Sequence, residues 1–180
     1  MKNKSKIFKT VLSALFLALC YVLPFITGQI PEIGAMLCPM HIPVIICGFI
    51  CGWPWGLLVG FLAPLFRSLT LGMPPLFPTA ICMALELATY GLASGITHKI
   101  LPKKKPYIYC SLLISMIIGR AVWGVAMFTL MAVNGDTFGF SAFLAGAVTN
   151  AIPGIILQIV LVPPIVMILE NTKIITGRLK

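Results

Sequence analysis

Long apolar runs, separated only by short breaks, constrain this chain more than any motif it contains. Hydrophobic residues make up 59% of its 180 residues and charged residues only 9%, whereas about a quarter of the residues in a soluble domain are charged. A soluble fold has too little interior to hide so much apolar surface, so the excess must face lipid. We therefore predict an all-α integral membrane protein that folds as a single transmembrane domain over residues 1–180.

At about 20 residues per crossing, the chain has room for a bundle of about six transmembrane helices. The second and third apolar runs are short, but the break Gly52-Trp53-Pro54 separates them, because proline lacks an amide hydrogen and clashes with the preceding helical turn. We expect helices at Phe8–Phe25, Ala35–Cys51, Trp55–Phe66, Phe77–Thr97, Tyr107–Val133 and Phe140–Leu169.

The formal net charge of +9 is concentrated at the predicted helix ends. The clusters are Lys2, Lys4, Lys6 and Lys9, then Lys99 and Lys103 to Lys105, then Lys173, Arg178 and Lys180. Basic residues of membrane proteins collect on the cytoplasmic side, and four crossings followed by two keep all three clusters there. We predict a multi-pass cell-membrane protein with cytoplasmic N- and C-termini, and no nucleic-acid partner.

Two charged residues lie inside predicted helices. At a rise of about 1.5 Å per residue, Glu86 and Arg120 are roughly 16 Å and 20 Å from the cytoplasmic ends of the fourth and fifth helices. Charges at that depth are costly and face the bundle interior. Glu86 and Arg120 can pair and lock the two helices together, or they can line a polar cavity that holds a solute. Both interpretations can hold at once.

Three further polar residues are candidates for the same cavity. Asn150 on the sixth helix is expected in the outer half of the membrane, with Glu86 and Arg120. His41 is expected near the outer end of the second helix, as a hydrogen-bond partner rather than a metal ligand. Arg67 is expected at the outer mouth, at the start of a loop that prolines stiffen.

Signatures of catalysis or of cofactor binding are missing. The chain lacks the G-x-x-x-x-G-K-[ST] pattern of a P-loop and the H-E-x-x-H pattern of zinc proteases. None of its six cysteines forms a C-x-x-C pair, and most lie in apolar runs, where we expect small packing residues. We expect no enzymatic activity, no cofactor and no metal.

Small residues recur at a spacing of four along several predicted helices. Such pairs let two helices approach closely, either within one bundle or against another subunit. The pairs are Ala14/Ala18, Gly48/Gly52, Gly56/Gly60 and Gly91/Gly95.

The size, the six predicted helices and the missing nucleotide site together resemble the S components of energy-coupling factor (ECF) vitamin transporters, which are their substrate-binding membrane subunits. Two stretches carry the resemblance, which covers the whole chain. The first is Ala14-x-x-x-Ala18, within Ser13-Ala14-Leu15-Phe16-Leu17-Ala18. The second runs from His41-Ile42-Pro43 through Gly56, Gly60, Pro64, Arg67 and Ser68 to Gly72-Met73-Pro74-Pro75.

The resemblance implies a function and partners. Such subunits bind one vitamin near the outer face, under their first and third loops. They deliver it by toppling in the membrane, together with a transmembrane coupling protein and two ATPase subunits. The resemblance also implies that Ala14 and Ala18 contact the coupling protein. The chain lacks the histidine-rich N-terminus that binds nickel or cobalt in some members, so we do not expect a metal substrate.

The expected solute is therefore a small, water-soluble vitamin or precursor bound by Glu86, Arg120 and Asn150, with Arg67 at the mouth. Two cations against one carboxylate leave a mild positive bias. This bias slightly favours an acid such as pantothenate, because arginine can bind a carboxylate through two hydrogen bonds. A neutral ring with hydroxyl groups, such as pyridoxine or a hydroxymethylpyrimidine, is nearly as compatible, with Glu86 accepting its hydrogen bonds.

Two other functions remain open from the sequence. A self-sufficient secondary transporter or channel for a small polar solute is the main alternative, although such transporters are usually built from two repeats around a site at the membrane midplane. Repeats of that kind are not visible here. An intramembrane enzyme or an assembly factor is the third possibility.

Overall fold

The computed structural model describes residues 2–26, 36–102, 104–134, 139 and 151–172. Within these residues the chain forms six α-helices and one π-helical turn, and no strand. The elements are α1 (Lys2–Ile26), α2 (His41–Cys51), α3 (Trp53–Leu71), the π-helical turn (Leu76–Ala80), α4 (Ile81–Ile100), α5 (Lys105–Val133) and α6 (Ile152–Asn171).

Five helical segments of the described chain are long and apolar enough to cross a membrane, and α2, with 11 residues, is shorter. Large apolar side chains point away from the bundle. On α1, Ile7, Val11 and Leu15 follow one another at one-turn spacing and are 63%, 64% and 55% exposed. A helix that presents apolar residues outward as well as inward is suited to lipid. The prediction of an all-α membrane bundle of about six helices is confirmed.

The predicted break between the second and third helices is confirmed at Gly52. Its backbone has φ 95° and ψ 168°, a conformation that residues with a side chain rarely adopt. Pro54 then lies in the first turn of α3. Amides of the first turn have no acceptor within the helix, so the missing amide hydrogen of proline costs no helical hydrogen bond there. The continuous part of α2 begins at His41 rather than at Ala35, because Cys38 leaves the helical conformation with φ 47°.

The third helix is longer than predicted, and this changes the position of Arg67. α3 continues through Pro64 and ends at Leu71. The following Gly72 has a left-handed backbone (φ 69°), and its amide donates to Ser68 O. Glycine is the usual residue for such a helix end. The prediction that Arg67 lies in the following loop is therefore wrong, since it lies in the last turns of α3.

The later helices agree with the predicted segments to within a few residues where the structure describes them. The π-helical turn and α4 together correspond to the predicted fourth helix, and α5 begins at Lys105 rather than Tyr107. The described part of the sixth helix runs from Ile152 to Asn171. Its predicted first turns, residues 140–150, lie outside the described residues.

Contacts between side chains fix the directions of the helices. α2 and α4 run parallel, because the His41 ring lies 5.1 Å from the Tyr90 ring and the Phe49 ring lies 5.0 Å from the His98 ring. α3 and α5 run antiparallel to α4. The bundle therefore has a basic end, where α1 and α5 begin and α4 stops, and an opposite end, where α1 and α5 stop and α2 begins.

Glycines allow α4 to pack closely against α3 and α2. A Cβ added at Gly91 would collide with the backbone of Gly56, and one added at Gly60 would collide with that of Leu87. A Cβ at Gly48 on α2 would likewise collide with Gly91. Small residues let helix backbones approach closely in membranes. The four-residue glycine spacing thus serves packing inside this bundle.

Candidate functional site

Glu86 is the centre of a buried charge cluster. It lies on α4, and its side chain is 2% exposed. Arg120 on α5 places Nη1 3.0 Å from Glu86 Oε1, and His41 on α2 places Nε2 3.5 Å from the same oxygen. The cluster thus brings together three of the five residues predicted to bind solute, and it joins three helices.

Cys38 and Tyr90 complete the cluster. Arg120 Nη2 lies 3.7 Å from Cys38 Sγ, and the Tyr90 side chain lies near enough to the guanidinium for an electrostatic interaction. The Tyr90 ring is fully buried and meets the His41 ring edge-on. Cys38 lies ahead of α2. Its burial raises the pKa of the thiol, and this effect outweighs the nearby Arg120 cation, which lowers the pKa; the Glu86 carboxylate raises it further. The thiol is therefore protonated at neutral pH.

The hydrogen bonding of the cluster is incomplete. Glu86 Oε1 and Arg120 Nη1 are close enough for an ion pair, but Glu86 Oε1 has no hydrogen-bond partner in the described chain. The same holds for both ring nitrogens of His41 and for Arg120 Nε. Buried polar groups in proteins are normally hydrogen-bonded to protein, water or ligand. The cluster can therefore accept further polar partners.

The cluster lies in the half of the bundle towards the opposite end. Glu86 and Arg120 are each roughly 20 Å along their helices from the basic end, at about 1.5 Å per residue. His41, at the start of the short α2, lies at the same depth, since its Nε2 is 3.5 Å from Glu86 Oε1. Of the cluster residues, Arg120 keeps 15% of its side chain exposed, whereas Glu86 and His41 keep 2% each. Arg120 is the member that surrounding molecules reach most easily.

Arg67 lies in a different contact. It is 4% exposed, and its Nη1 donates a hydrogen bond of 2.8 Å to Tyr21 O on α1. Its guanidinium also lies 5.1 Å from the centre of the Phe25 ring and 6.0 Å from that of Tyr21. In the described residues Arg67 thus joins α3 to α1. Asn150, the fifth predicted residue, lies outside the described residues.

Ala14 and Ala18 line a groove on the outer surface of α1. Both are exposed, and the groove has a volume of about 310 Å³. Its lining is apolar, with one aromatic residue each from α1 and α3. The lining residues are Ala14, Leu17, Ala18, Tyr21, Val22 and Phe66.

A second polar pair lies at the basic end. His98 Nε2 on α4 lies 2.8 Å from Glu170 Oε1 on α6. The Glu170 side chain is 33% exposed, so this pair is closer to solvent than the Glu86 cluster. Among the described residues, no group of three or more His, Cys, Asp and Glu side chains is arranged to hold a metal ion.

The sequence interpretation missed Tyr90, Cys38 and the His98–Glu170 pair. Cys38 was assigned to packing with the other cysteines, although the following Pro39 signalled a break in the chain. One sequence feature indicates that Tyr90 lies near Glu86: it stands four residues later and so shares the same helix face. The sequence does not predict the contact between His98 and Glu170, because it depends on how α4 and α6 cross.

Comparison with known proteins identifies the family. The family described as "ECF transporter, substrate-specific component" matches residues 8–166. Searches of curated proteins and of solved structures each find no match. The family match spans most of the chain and includes the Glu86 cluster and the Ala14/Ala18 groove. This chain belongs to the family of substrate-specific components of ECF transporters.

Proposed function

We propose that this chain captures a small, water-soluble vitamin or vitamin precursor in the cluster around Glu86, Arg120 and His41. The solute enters from outside the cell, at the opposite end of the bundle, and the basic end faces the cytoplasm. A transmembrane coupling protein and two ATPase subunits then drive delivery. Membership of the family favours this function over a self-sufficient transporter.

The incomplete hydrogen bonding of the cluster is the observation that carries the proposal. Ion pairs that serve packing alone are usually satisfied by their surroundings, because an unpaired buried polar group costs about 1–3 kcal/mol. Among the described residues, four buried atoms of Glu86, His41 and Arg120 have no hydrogen-bond partner. A solute with hydroxyl groups and ring nitrogens could satisfy them.

The charge balance of the cluster supports a neutral solute. The charges of Glu86 and Arg120 offset one another, and Arg67 is engaged with Tyr21 rather than with the cluster. An acid such as pantothenate would have to compete with Glu86 for Arg120. A ring such as pyridoxine or a hydroxymethylpyrimidine can hydrogen-bond to Glu86 and His41 while the ion pair stays intact. We therefore favour the neutral ring.

The groove beside Ala14 and Ala18 supports docking of the coupling protein. Small residues at four-residue spacing allow a partner helix to approach within van der Waals contact. The groove is apolar and lies on the exposed side of α1, away from the solute cluster. Solute binding and partner docking would thus use separate surfaces of the same subunit.

Native mass spectrometry tests the proposal on protein purified without added solute, and calorimetry tests it with pyridoxine, a hydroxymethylpyrimidine and pantothenate. We expect one bound small molecule per chain, and tighter binding of a neutral ring than of pantothenate. Co-purification should recover a coupling protein and two ATPase subunits. A chain that transports a solute without such partners would contradict the proposal.

A further inference from the structure

Arg120 is held by more than its carboxylate partner. The Glu86 carboxylate pairs with Nη1, Cys38 Sγ lies 3.7 Å from Nη2, and the Tyr90 side chain lies near the guanidinium. The pairing with Glu86 lacks the alignment of a hydrogen bond. An arginine side chain has several rotatable bonds, so a loosely aligned pair alone leaves its planar end free to turn. The contacts with Cys38 and Tyr90 remove that freedom.

Tyr90 is itself rigidly placed. It stands one turn after Glu86 on α4, so both side chains face α5. Its ring is fully buried, with the His41 ring on one edge and Gly119 of α5 beside it. A Cβ at Gly119 would lie only 2.9 Å from the Tyr90 ring. Tyr90 therefore occupies a space that the bare glycine leaves open.

Cys38 is placed by its backbone. Its φ of 47° is the only positive value among the non-glycine residues of the described chain, and such conformations persist where the surroundings enforce them. Two residues on, Met40 O accepts a contact of 3.6 Å from Cys20 Sγ on α1. The segment that carries Cys38 is thus fixed to α1 as well as to Arg120.

We propose that Cys38 and Tyr90 are positioning residues, which hold the Arg120 guanidinium in the orientation that the solute meets. The link to the solute rests on the function proposed above for the Glu86 cluster. The link between Cys38, Tyr90 and Arg120 rests on their contacts alone. The two links can therefore be tested separately.

The first experiment reads the position of Arg120 without any solute. Iodoacetamide alkylates the thiolate of cysteine, so the pH midpoint of Cys38 alkylation follows the pKa of this thiol. Peptide mass spectrometry measures it in the full-length protein. Moving the guanidinium away removes a nearby positive charge and raises that pKa. We expect Arg120→Gln to move the midpoint upward by about one pH unit or more, and Tyr90→Phe to move it in the same direction.

Tyr109→Phe, on an exposed position of α5, is the matched control and should leave the midpoint unchanged. If Arg120→Gln shifts the midpoint and Tyr90→Phe does not, Tyr90 does not hold Arg120. If neither variant moves the midpoint, the contact between Cys38 and Arg120 is not significant and the inference fails. If burial keeps Cys38 unmodified in every variant, the binding experiment decides.

The second experiment connects the contacts to binding, with pyridoxine and pantothenate as the calorimetric probes. Cys38→Ala and Tyr90→Phe should each weaken binding by about two- to tenfold, as expected for the loss of one polar contact. Cys38→Ser should restore most of the affinity, because a hydroxyl can also accept from the guanidinium. Cys110→Ala, at an exposed thiol, should have no effect.

Cys38→Gly separates positioning from folding. Glycine accepts a positive φ without strain, so this variant should unfold at the same temperature as Cys38→Ala or a higher one, and yet bind as weakly. Equal affinity of the parent, Cys38→Ala and Tyr90→Phe would overturn the inference. If the parent binds neither probe but the alkylation midpoints shift as expected, the positioning role stands and the proposed solutes are wrong.

Discussion

At the scale of single residues, the two arginines of the described chain, Arg67 and Arg120, have different partners. Arg120 pairs with the Glu86 carboxylate, whereas Arg67 donates to the Tyr21 carbonyl and packs on the Phe25 ring. α1 contains Pro24, which removes an amide donor from its last turns. The carbonyl without this donor is that of Cys20, four residues earlier, and Arg67 donates to the next one, Tyr21 O, from the neighbouring helix. Its position is therefore explained by the joining of α1 to α3.

We predict that Arg67→Gln lowers the stability of the folded protein by about 1.5–3 kcal/mol, the usual contribution of a hydrogen bond from a charged group. Solute affinity should change little, because Tyr21 and Phe25 are not part of the Glu86 cluster. Unfolding in mixed micelles and calorimetry measure the two effects. Arg120→Gln is the comparison, since it should reduce affinity strongly. An affinity loss in Arg67→Gln equal to that in Arg120→Gln would return Arg67 to the solute site.

At the scale of helices, the contact of α3 with α4 depends on glycines. Gly56 and Gly60 face Gly91 and Leu87, and backbone atoms occupy the places where Cβ atoms would be. The position of Glu86 follows from this contact, because it lies one turn ahead of Tyr90 and Gly91 on α4. A change in the spacing of α3 and α4 would therefore reach the charge cluster.

Gly91→Ala should destabilise the bundle by about 1–3 kcal/mol, as overpacking typically does, and should also weaken solute binding. The reason is that the new methyl group meets the backbone of Gly56, which cannot turn aside as a side chain could. Leu85→Ala, on an exposed position of the same helix, is the control for loss of helix surface. Thermal unfolding that is unchanged in Gly91→Ala would show that the helices are not in close contact there.

The groove on α1 leads to a prediction about transport. Ala14→Trp or Ala18→Trp should fill the groove and block a partner helix, so uptake into cells should be lost while the purified variants still bind solute. Leu15→Trp introduces the same side chain at a neighbouring exposed position outside the groove lining, and it should leave uptake intact. Normal uptake in both alanine variants would place the docking surface elsewhere.

At the scale of the whole molecule, the basic end should face the cytoplasm. With cysteine introduced into a cysteine-free chain, Lys103→Cys should react with a membrane-impermeant maleimide only after the cells are opened. Met73→Cys, in the segment between α3 and the π-helical turn, should react in intact cells, because Met73 is 39% exposed at the opposite end. Labelling of position 103 from outside would contradict this orientation.

The sequence predicted the six helices well, because lipid requires long apolar segments and because Gly52-Trp53-Pro54 marks its break chemically. It also predicted that Glu86 and Arg120 face the interior, where they pair. The contacts of His41, Tyr90 and Cys38 were not predictable in the same way. They depend on the parallel course of α2 beside α4, which the glycine contacts set. The end of α3 was misplaced because Pro64 and the polar Arg67 suggested a loop before Gly72.

The central claim is that the Glu86 cluster binds the solute, and a pair of matched variants tests it most directly. Glu86→Gln removes the carboxylate at the cluster, and Glu170→Gln removes the carboxylate paired with His98 at the basic end. Calorimetry with pyridoxine, a hydroxymethylpyrimidine and pantothenate should show that the parent and Glu170→Gln bind one neutral ring alike. Glu86→Gln, although folded, should bind it about tenfold more weakly or worse, the equivalent of about 1.4 kcal/mol. Binding by folded Glu86→Gln that equals that of the parent would contradict the claim and leave Glu86 and Arg120 as a structural pair.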